Sequence, residues 1–207
     1  MIICSCRTVL IMDVILATGS RPKRELLETT GIPFRCVESG IDERSYPATY
    51  PSDYVVKLAI AKAEKVARAN EGSLVIGADT VVSERMIILG KPKNNADALA
   101  MLQLLSGRTH TIYTGVAVCC SVAGVCATKS SVSLANITFR TIGPRLMSRY
   151  IATGEPMGKA GAYAYQGLGA HFIEKIEGDY HAVQGLPVFT TLSLLREFDY
   201  GLEQILD

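Results

Sequence analysis

The chain contains no tryptophan, only three histidines and no pair of cysteines spaced as C-x-x-C. His110, His171 and His181 have neither metal-ligand spacing nor a serine or cysteine partner at a recognisable spacing. A zinc site is therefore disfavoured, as is a Ser-His or Cys-His nucleophile, and the three read as structural or surface residues. No glycine-rich phosphate loop is present either. Neither G-x-G-x-x-G nor G-x-x-x-x-G-K-S/T occurs, which argues against a Rossmann dinucleotide site or a Walker-type loop, and with it against a NAD or S-adenosylmethionine enzyme. Excess charge of one sign is also missing. Lysine and arginine number 21 against 20 aspartates and glutamates, for a net charge of +1. Nothing marks a partner of nucleic-acid polymers or membrane surfaces, and only a local basic pocket stays open.

Long apolar runs are equally scarce. The start, "MIICSCRTVLIMD", is broken by Arg7, ends at Asp13 and has no basic region ahead of it, so it is neither a membrane span nor a secretory leader. It reads as a short extension over residues 1–12, with Met12 a candidate internal start. The six cysteines, Cys4, Cys6, Cys36, Cys119, Cys120 and Cys126, read as small buried hydrophobes of a reducing compartment, which points to the cytoplasm.

What is present is core. The chain has 207 residues, 48% of them hydrophobic, enough for one domain over 13–207. Val14–Ala17 reads as a buried strand, followed by Thr18-Gly19-Ser20 and a helix with Pro22 in its first turn. Ser52 is the expected cap of a helix from Asp53 to about Asn70. A strand pair spans 74–91, then a helix runs from about Asn95 to Leu105, closed by Gly107. Three β segments are expected at Thr114–Cys120, Thr128–Leu134 and Asn136–Ile142. Pro144 opens a short helix ending near Gly154, and Pro187 opens the last helix after a glycine-rich segment. Helices and strands interleave throughout, which predicts an α/β fold with a mixed sheet.

Several polar residues interrupt these core-building patterns. Asp79 sits inside "LVIGADTVV", and Lys91 stands between Gly90 and Pro92. A hairpin loop centred on Arg85 would put 79 and 91 directly opposite, as a structural ion pair or as a shared reactive site. Lys62 lies in the same helical row as Leu58 and Val66, so its ammonium either snorkels or points into a cleft. "TGSRPKRELL" offers hydroxyls, helix N-terminal N–H groups and three cations, the groups a triphosphate needs. "ESGIDER" holds Glu38, Asp42 and Glu43, any of which could be a second carboxylate.

Taken in order, "LATGSRPKRELL", "GADTVV", "LGKP", "LSGRTHTIYTGVAV", "EPMGKAGAYAYQGLG" and "IEGDYHAVQGLP" resemble the successive motifs of the Maf family of nucleoside triphosphate pyrophosphatases, also called septum formation inhibitors. The resemblance covers about Asp13 to Phe198. It implies a two-lobed fold like that of inosine triphosphate pyrophosphatases, with a nucleotide cleft between the lobes, a Mg²⁺ or Mn²⁺ cofactor and a homodimer. It also implies roles. Ser20 and the basic positions after it, Arg21 and Lys23, bind phosphate. Glu43 and Asp79 handle the metal and the attacking water, Lys62 and Lys91 neutralise phosphate charge, and Thr80 and Gln166 set specificity. One departure stands out, since the family's Ser-Pro-Arg-Arg is Ser20-Arg21-Pro22-Lys23 here. Lys23 is expected to keep a phosphate contact, with Arg21 swinging in and Arg24 on the outer face. "KAGAYAYQGLG" resembles the branch acting on dTTP and UTP. The same activity on 7-methyl-GTP, or a non-catalytic nucleotide-binding regulator of division, are the alternative readings.

Overall fold

The computed structural model describes residues 12–47 and 50–206. The extension expected over 1–12, with Cys4 and Cys6, therefore lies outside the described residues except for Met12. One sheet organises the chain. Strands β1 (Val14–Leu16), β2 (Arg35–Cys36), β3 (Leu74–Glu84), β5 (Thr109–Val122), β6 (Val125–Phe139) and β7 (Ile173–Gly178) lie in the order β2-β1-β3-β5-β6-β7, and β4 (Ile87–Leu89) pairs with β3. β1 runs parallel to both β2 and β3, whereas the other pairings are antiparallel. The sheet is mixed and the class is α/β, as the interleaving predicts.

Helix α2 (Pro51–Arg68) positions the site. It buries Val55, Leu58, Ala59, Ala63, Val66 and Ala67, the stripe of a 3.6-residue period, and packs on β3 and β5. Two glycines let its backbone come down onto the sheet. A Cβ at Gly77 would lie 2.2 Å from the Ala59 carbonyl oxygen, and one at Gly115 would lie 2.5 Å from that of Val55. Gly115 is the cross-strand partner of Asp79. Asp79 is two residues beyond Gly77 and so shares its face, directly under α2.

The structure departs from the expected pattern in several places. Glu84 pairs with Ile87 and Val82 with Leu89, so the hairpin turns on two residues, Arg85 and Met86. Both have positive φ, 48° and 67°, which a two-residue turn of that hand requires. The pairing is one residue out of the expected register, and β4 stops at Leu89. Lys91 is therefore not the cross-strand partner of Asp79. Helix α2 begins at Pro51 behind Tyr50, and Ser52 lies in its first turn rather than capping it. The two β segments expected at 128–134 and 136–142 are one strand, β6, which ends at Phe139. Helix α3 (Asn95–Leu105) has the expected bounds, with the Asn94 side chain accepting the Asp97 N–H. Helices α1 (Arg21–Glu28), α4 (Pro144–Ala152) and α6 (Val188–Arg196) also stand where proline signals put them. The short helix α5 (Tyr180–Gln184) and strand β7 within the glycine-rich region were not legible as elements. The helix behind Pro187 is not the last, because a further short helix, α7, spans Glu203–Leu206.

Of the described cysteines Cys119 is buried, Cys120 and Cys126 are half-buried and Cys36 is exposed, so Cys36 is not the core residue expected of it. No helix among the described residues is long and apolar enough to cross a membrane. His110 is a core residue, hydrogen-bonded through Nε2 to the Tyr163 hydroxyl at 2.8 Å and edge-on to the Phe139 ring. Burial pushes its pKa down from 6.5 to about 4. Below pH 6.5 the unfolded chain takes a proton that the native state refuses, so stability is lost as pH falls through that window. Between pH 7 and 4.5 the loss from this residue should be roughly 2–3 kcal/mol, by denaturant unfolding at each pH. His110→Gln should lose that much less over the same interval, and an equal loss in both proteins contradicts the assignment.

Candidate active site

Lys62 projects from α2 onto two carboxylates. Its Nζ lies 2.5 Å from Asp79 Oδ1 and 2.7 Å from Glu43 Oε1. Asp79 comes from the centre of β3. Glu43 begins a one-turn 3₁₀ segment, Glu43–Ser45, whose N-terminus is capped by the Asp42 carboxylate accepting the Arg44 N–H. The Lys62 and Asp79 side chains are each 12% exposed, and that of Glu43 is 47% exposed. The electrostatics differ accordingly. Burial raises the Asp79 pKa above the ordinary carboxylate value despite the Lys62 ammonium. Glu43 is lowered, because its hydrogen bond and attraction to Lys62 outweigh its own desolvation. Lys62 is raised, because the two carboxylates outweigh its burial. The result is one charged carboxylate at the mouth and one poised carboxylate at the floor.

A second ammonium approaches from α1. Burial pushes Lys23 down from 10.5 to about 8, resisted first by the Asp79 charge and reinforced by Lys62. Lys23 is seated by Gly185, where φ is +100° and a Cβ would lie 3.0 Å from Lys23 Nζ and 3.2 Å from Thr80 Oγ1. Only glycine closes α5 in this way. Thr114 donates to the Ala182 carbonyl at 2.7 Å, so Thr80 donates to Thr114 Oγ1 at 2.9 Å, and the Thr80 oxygen faces the Lys23 side as an acceptor. The exposed Lys91 follows β4, and its charge helps to lower Glu43.

The structure thus gathers Asp79, Lys62, Glu43 and Lys23, with Thr80 adjoining and Lys91 in electrostatic reach. Ser20 is the N-cap residue of α1, and its side chain caps nothing. Arg21 is outside the cluster, paired with Glu25 at 2.6 Å with its side chain 88% exposed. Arg24 pairs with Glu28 on the outer face. Gln166 is exposed in a turn after Tyr165. Glu38 packs over Gly19, where a Cβ would lie 2.1 Å from its Oε1, and is not the carboxylate on Lys62. One member went unnoticed in the sequence. Tyr54 has its pKa raised by burial and then by the Asp79 and Glu43 charges. It lies eight residues before Lys62 in the row Tyr54-Leu58-Lys62, so the i, i+4 spacing carried the signal.

Asp79 and Glu43 converge on one cationic atom, so they can converge on another cation. No group of three or more His, Cys, Asp or Glu side chains suited to a metal exists among the described residues. Two hard oxygen donors fit Mg²⁺ or Mn²⁺, which take one or two carboxylates and complete their shells with phosphate oxygens and water.

A family model described as Maf-like protein matches residues 13–198. A Bacillus cytotoxicus protein named dTTP/UTP pyrophosphatase is 44% identical over 187 residues, 90% of this chain and 96% of that one. A Bacillus cereus protein of the same name is 43% identical over 186 residues, 90% of each chain. Among solved structures, the Ham1 protein of Staphylococcus aureus overlays with a TM-score of 0.44 at 13% identity, covering 90% of this chain and 97% of that one. Matched by that model over almost its whole length, the chain belongs to the Maf-like family.

Proposed function

We propose that the protein is a nucleoside triphosphate pyrophosphatase that hydrolyses dTTP and UTP, and modified pyrimidine triphosphates of the same shape, to the monophosphate and pyrophosphate. The observation that carries this reading is the convergence of buried Asp79 and half-exposed Glu43 on Lys62, beside Lys23, in a chain 44% identical to a protein named for that reaction. Water attacks the α-phosphorus, so that pyrophosphate is the leaving group and the new oxygen stays with the monophosphate. Catalysis of phosphoryl chemistry is mostly positioning and charge stabilisation. Asp79, whose pKa burial raises, orders the water and takes its proton. Lys62, Lys91 and Lys23 offset the charge that builds on the departing pyrophosphate, and Ser20 with the first turn of α1 binds its oxygens. Glu43 and Asp79 would hold a Mg²⁺ or Mn²⁺ ion, which when bound withdraws charge from phosphate oxygens and acidifies water. Thr80 and Gln166 select the nucleotide, and the Gln166 amide offers one donor and one acceptor edge to a uracil or thymine ring. The nucleotide cleft divides a single two-lobed domain, and the setting is a cytoplasmic homodimer that clears the nucleotide pool.

The direct test is pyrophosphate release from a panel of triphosphates with Mg²⁺, with Mn²⁺ and with chelator. dTTP and UTP should be the best substrates and chelator should abolish turnover, whereas binding without turnover would favour a regulator. The first turn of α1 gives a finer prediction. Lys23→Ala should lower kcat/KM for UTP at least about tenfold, the scale of one charged hydrogen bond. Arg24→Ala should be near neutral. Arg21 is tied up only in an exposed ion pair, worth about 0–1 kcal/mol, which a phosphate can outcompete. Arg21→Ala should therefore fall between the two. If Arg24→Ala is the crippling change, this assignment of the turn is wrong.

A further inference from the structure

The turn that carries Gln166 hangs on one carboxylate. Glu155, just beyond α4, accepts the backbone N–H groups of Leu168 and Gly169, each at 2.9 Å, and the Tyr150 hydroxyl, also at 2.9 Å. The Tyr150 oxygen in turn accepts the Ala164 N–H at 3.2 Å. Both ends of the segment 164–169 are thus fastened to a Glu155–Tyr150 pair. Two glycines let the segment close down. A Cβ at Gly167 would lie 2.6 Å from Glu155 Oε2, and one at Gly169 would lie 2.9 Å from the Tyr150 hydroxyl. Burial raises the Glu155 pKa, but the Leu168 and Gly169 N–H groups and the Tyr150 hydroxyl outweigh it and hold the carboxyl below its ordinary value. A charged acceptor of this kind makes the stronger class of hydrogen bond.

The chain leading into this segment and the segment itself are each tied toward the charged cluster. The Gly161 N–H donates to the Gly90 carbonyl at 3.1 Å, immediately before Lys91. The Tyr165 ring stands edge-on to Tyr180, with centroids 5.3 Å apart and hydroxyls hydrogen-bonded. Tyr180 opens α5, and α5 closes at Gly185 against Lys23 and Thr80. Gln166 is exposed, and no described residue hydrogen-bonds its side chain. A side chain that must read a base from such a turn depends on the backbone being held still.

We propose that Glu155 is the positioning residue for Gln166: with Tyr150 it fixes the turn from which that amide reads the pyrimidine, an inference that rests on the pyrophosphatase reading above. Glu155→Gln keeps the side-chain size but turns one acceptor oxygen into an NH₂ that cannot accept, so Leu168 or Gly169 loses its partner. Tyr150→Phe removes only the hydroxyl. Amide exchange at Leu168 or Gly169 should quicken at least about tenfold in the first variant, and at Ala164 in the second, as expected for one lost hydrogen bond. KM for UTP should rise about tenfold with kcat within about threefold, and the preference for UTP over CTP should fall about tenfold. Glu155→Asp should recover part of that preference. Calorimetric titration with α,β-imido-UTP and α,β-imido-CTP reads the same preference without turnover. An inactive wild-type protein would therefore overturn the functional reading and still leave this proposal tested. Unchanged exchange overturns the proposal. So does faster exchange with an unchanged base preference, or a collapse of kcat at unchanged KM.

Discussion

Asp79→Asn is expected to lower kcat for pyrophosphate release by on the order of 10²-fold or more, the scale for losing a preorganised charged group, while leaving the protein at least as stable as wild type. The two halves have one cause. The side chain is 12% exposed and its Oδ1 lies 2.5 Å from Lys62 Nζ, and an asparagine carbonyl can accept that same hydrogen bond. What disappears is the negative charge. Burial raises the folded pKa of Asp79 above its ordinary value, so the native state binds that proton more tightly than the unfolded chain does. The stability that follows is present at low pH and is lost as pH rises through the folded pKa, so at neutral pH the ionised form costs stability. Asparagine carries no such cost, and Lys62 keeps Glu43 as its counter-ion. Kinetics and thermal unfolding on the same preparation check both halves. A folded variant with near-wild-type turnover removes Asp79 from the chemistry, and a large drop in Tm makes it a structural residue instead.

Lys62→Met should be as damaging to turnover and, unlike Asp79→Asn, should cost stability. Removing the ammonium leaves a buried carboxylate facing a second one without compensation, which typically costs about 3–5 kcal/mol when a buried pair is broken. Part of that is relieved if Asp79 takes a proton, which would also disable it as a base, so kcat should fall about 10²-fold or more. The two carboxylates that converge on Lys62 Nζ would then be left to a metal alone. Mg²⁺ should therefore raise the Tm of Lys62→Met by more than it raises that of wild type. The same Tm shift in both proteins would show that these carboxylates are not the metal donors.

Much of this arrangement was legible because polar residues disturb apolar patterns. Asp79 interrupts a strand of consecutive buried residues, and Lys62 interrupts the stripe of α2. What failed was which of them meet. A loop centred on Arg85 takes three residues, whereas positive φ at Arg85 and Met86 closes the hairpin in two, and a slip of one residue undoes a cross-strand pairing. The true partner of Asp79 crosses from α2, and only the close approach at Gly77 and Gly115 makes that contact possible. A sequence shows a glycine but not what comes down upon it. The Glu155 clamp is invisible because a glutamate beside a proline disturbs no pattern, whereas Tyr54 shows only through its i, i+4 row with Leu58 and Lys62. The segments expected at 128–134 and 136–142 leave only Ala135 between them, yet Ala135 pairs with Ile112 like its neighbours and β6 runs straight through. The bounds of α3, by contrast, were set by the Asn94 cap and the helix-forming run behind it, which are local signals.

The central claim is that water attacks the α-phosphorus of a pyrimidine triphosphate over Asp79, and the position of the new oxygen tests it most directly. UTP should be turned over by wild-type protein with Mg²⁺ in ¹⁸O-labelled water, and the products should be resolved by mass spectrometry and ³¹P NMR. One labelled oxygen should appear in UMP and none in pyrophosphate, and Asp79→Asn should form both products on the order of 10²-fold more slowly. Label in pyrophosphate, or release of orthophosphate with UDP, would place the attack on another phosphorus and contradict the account.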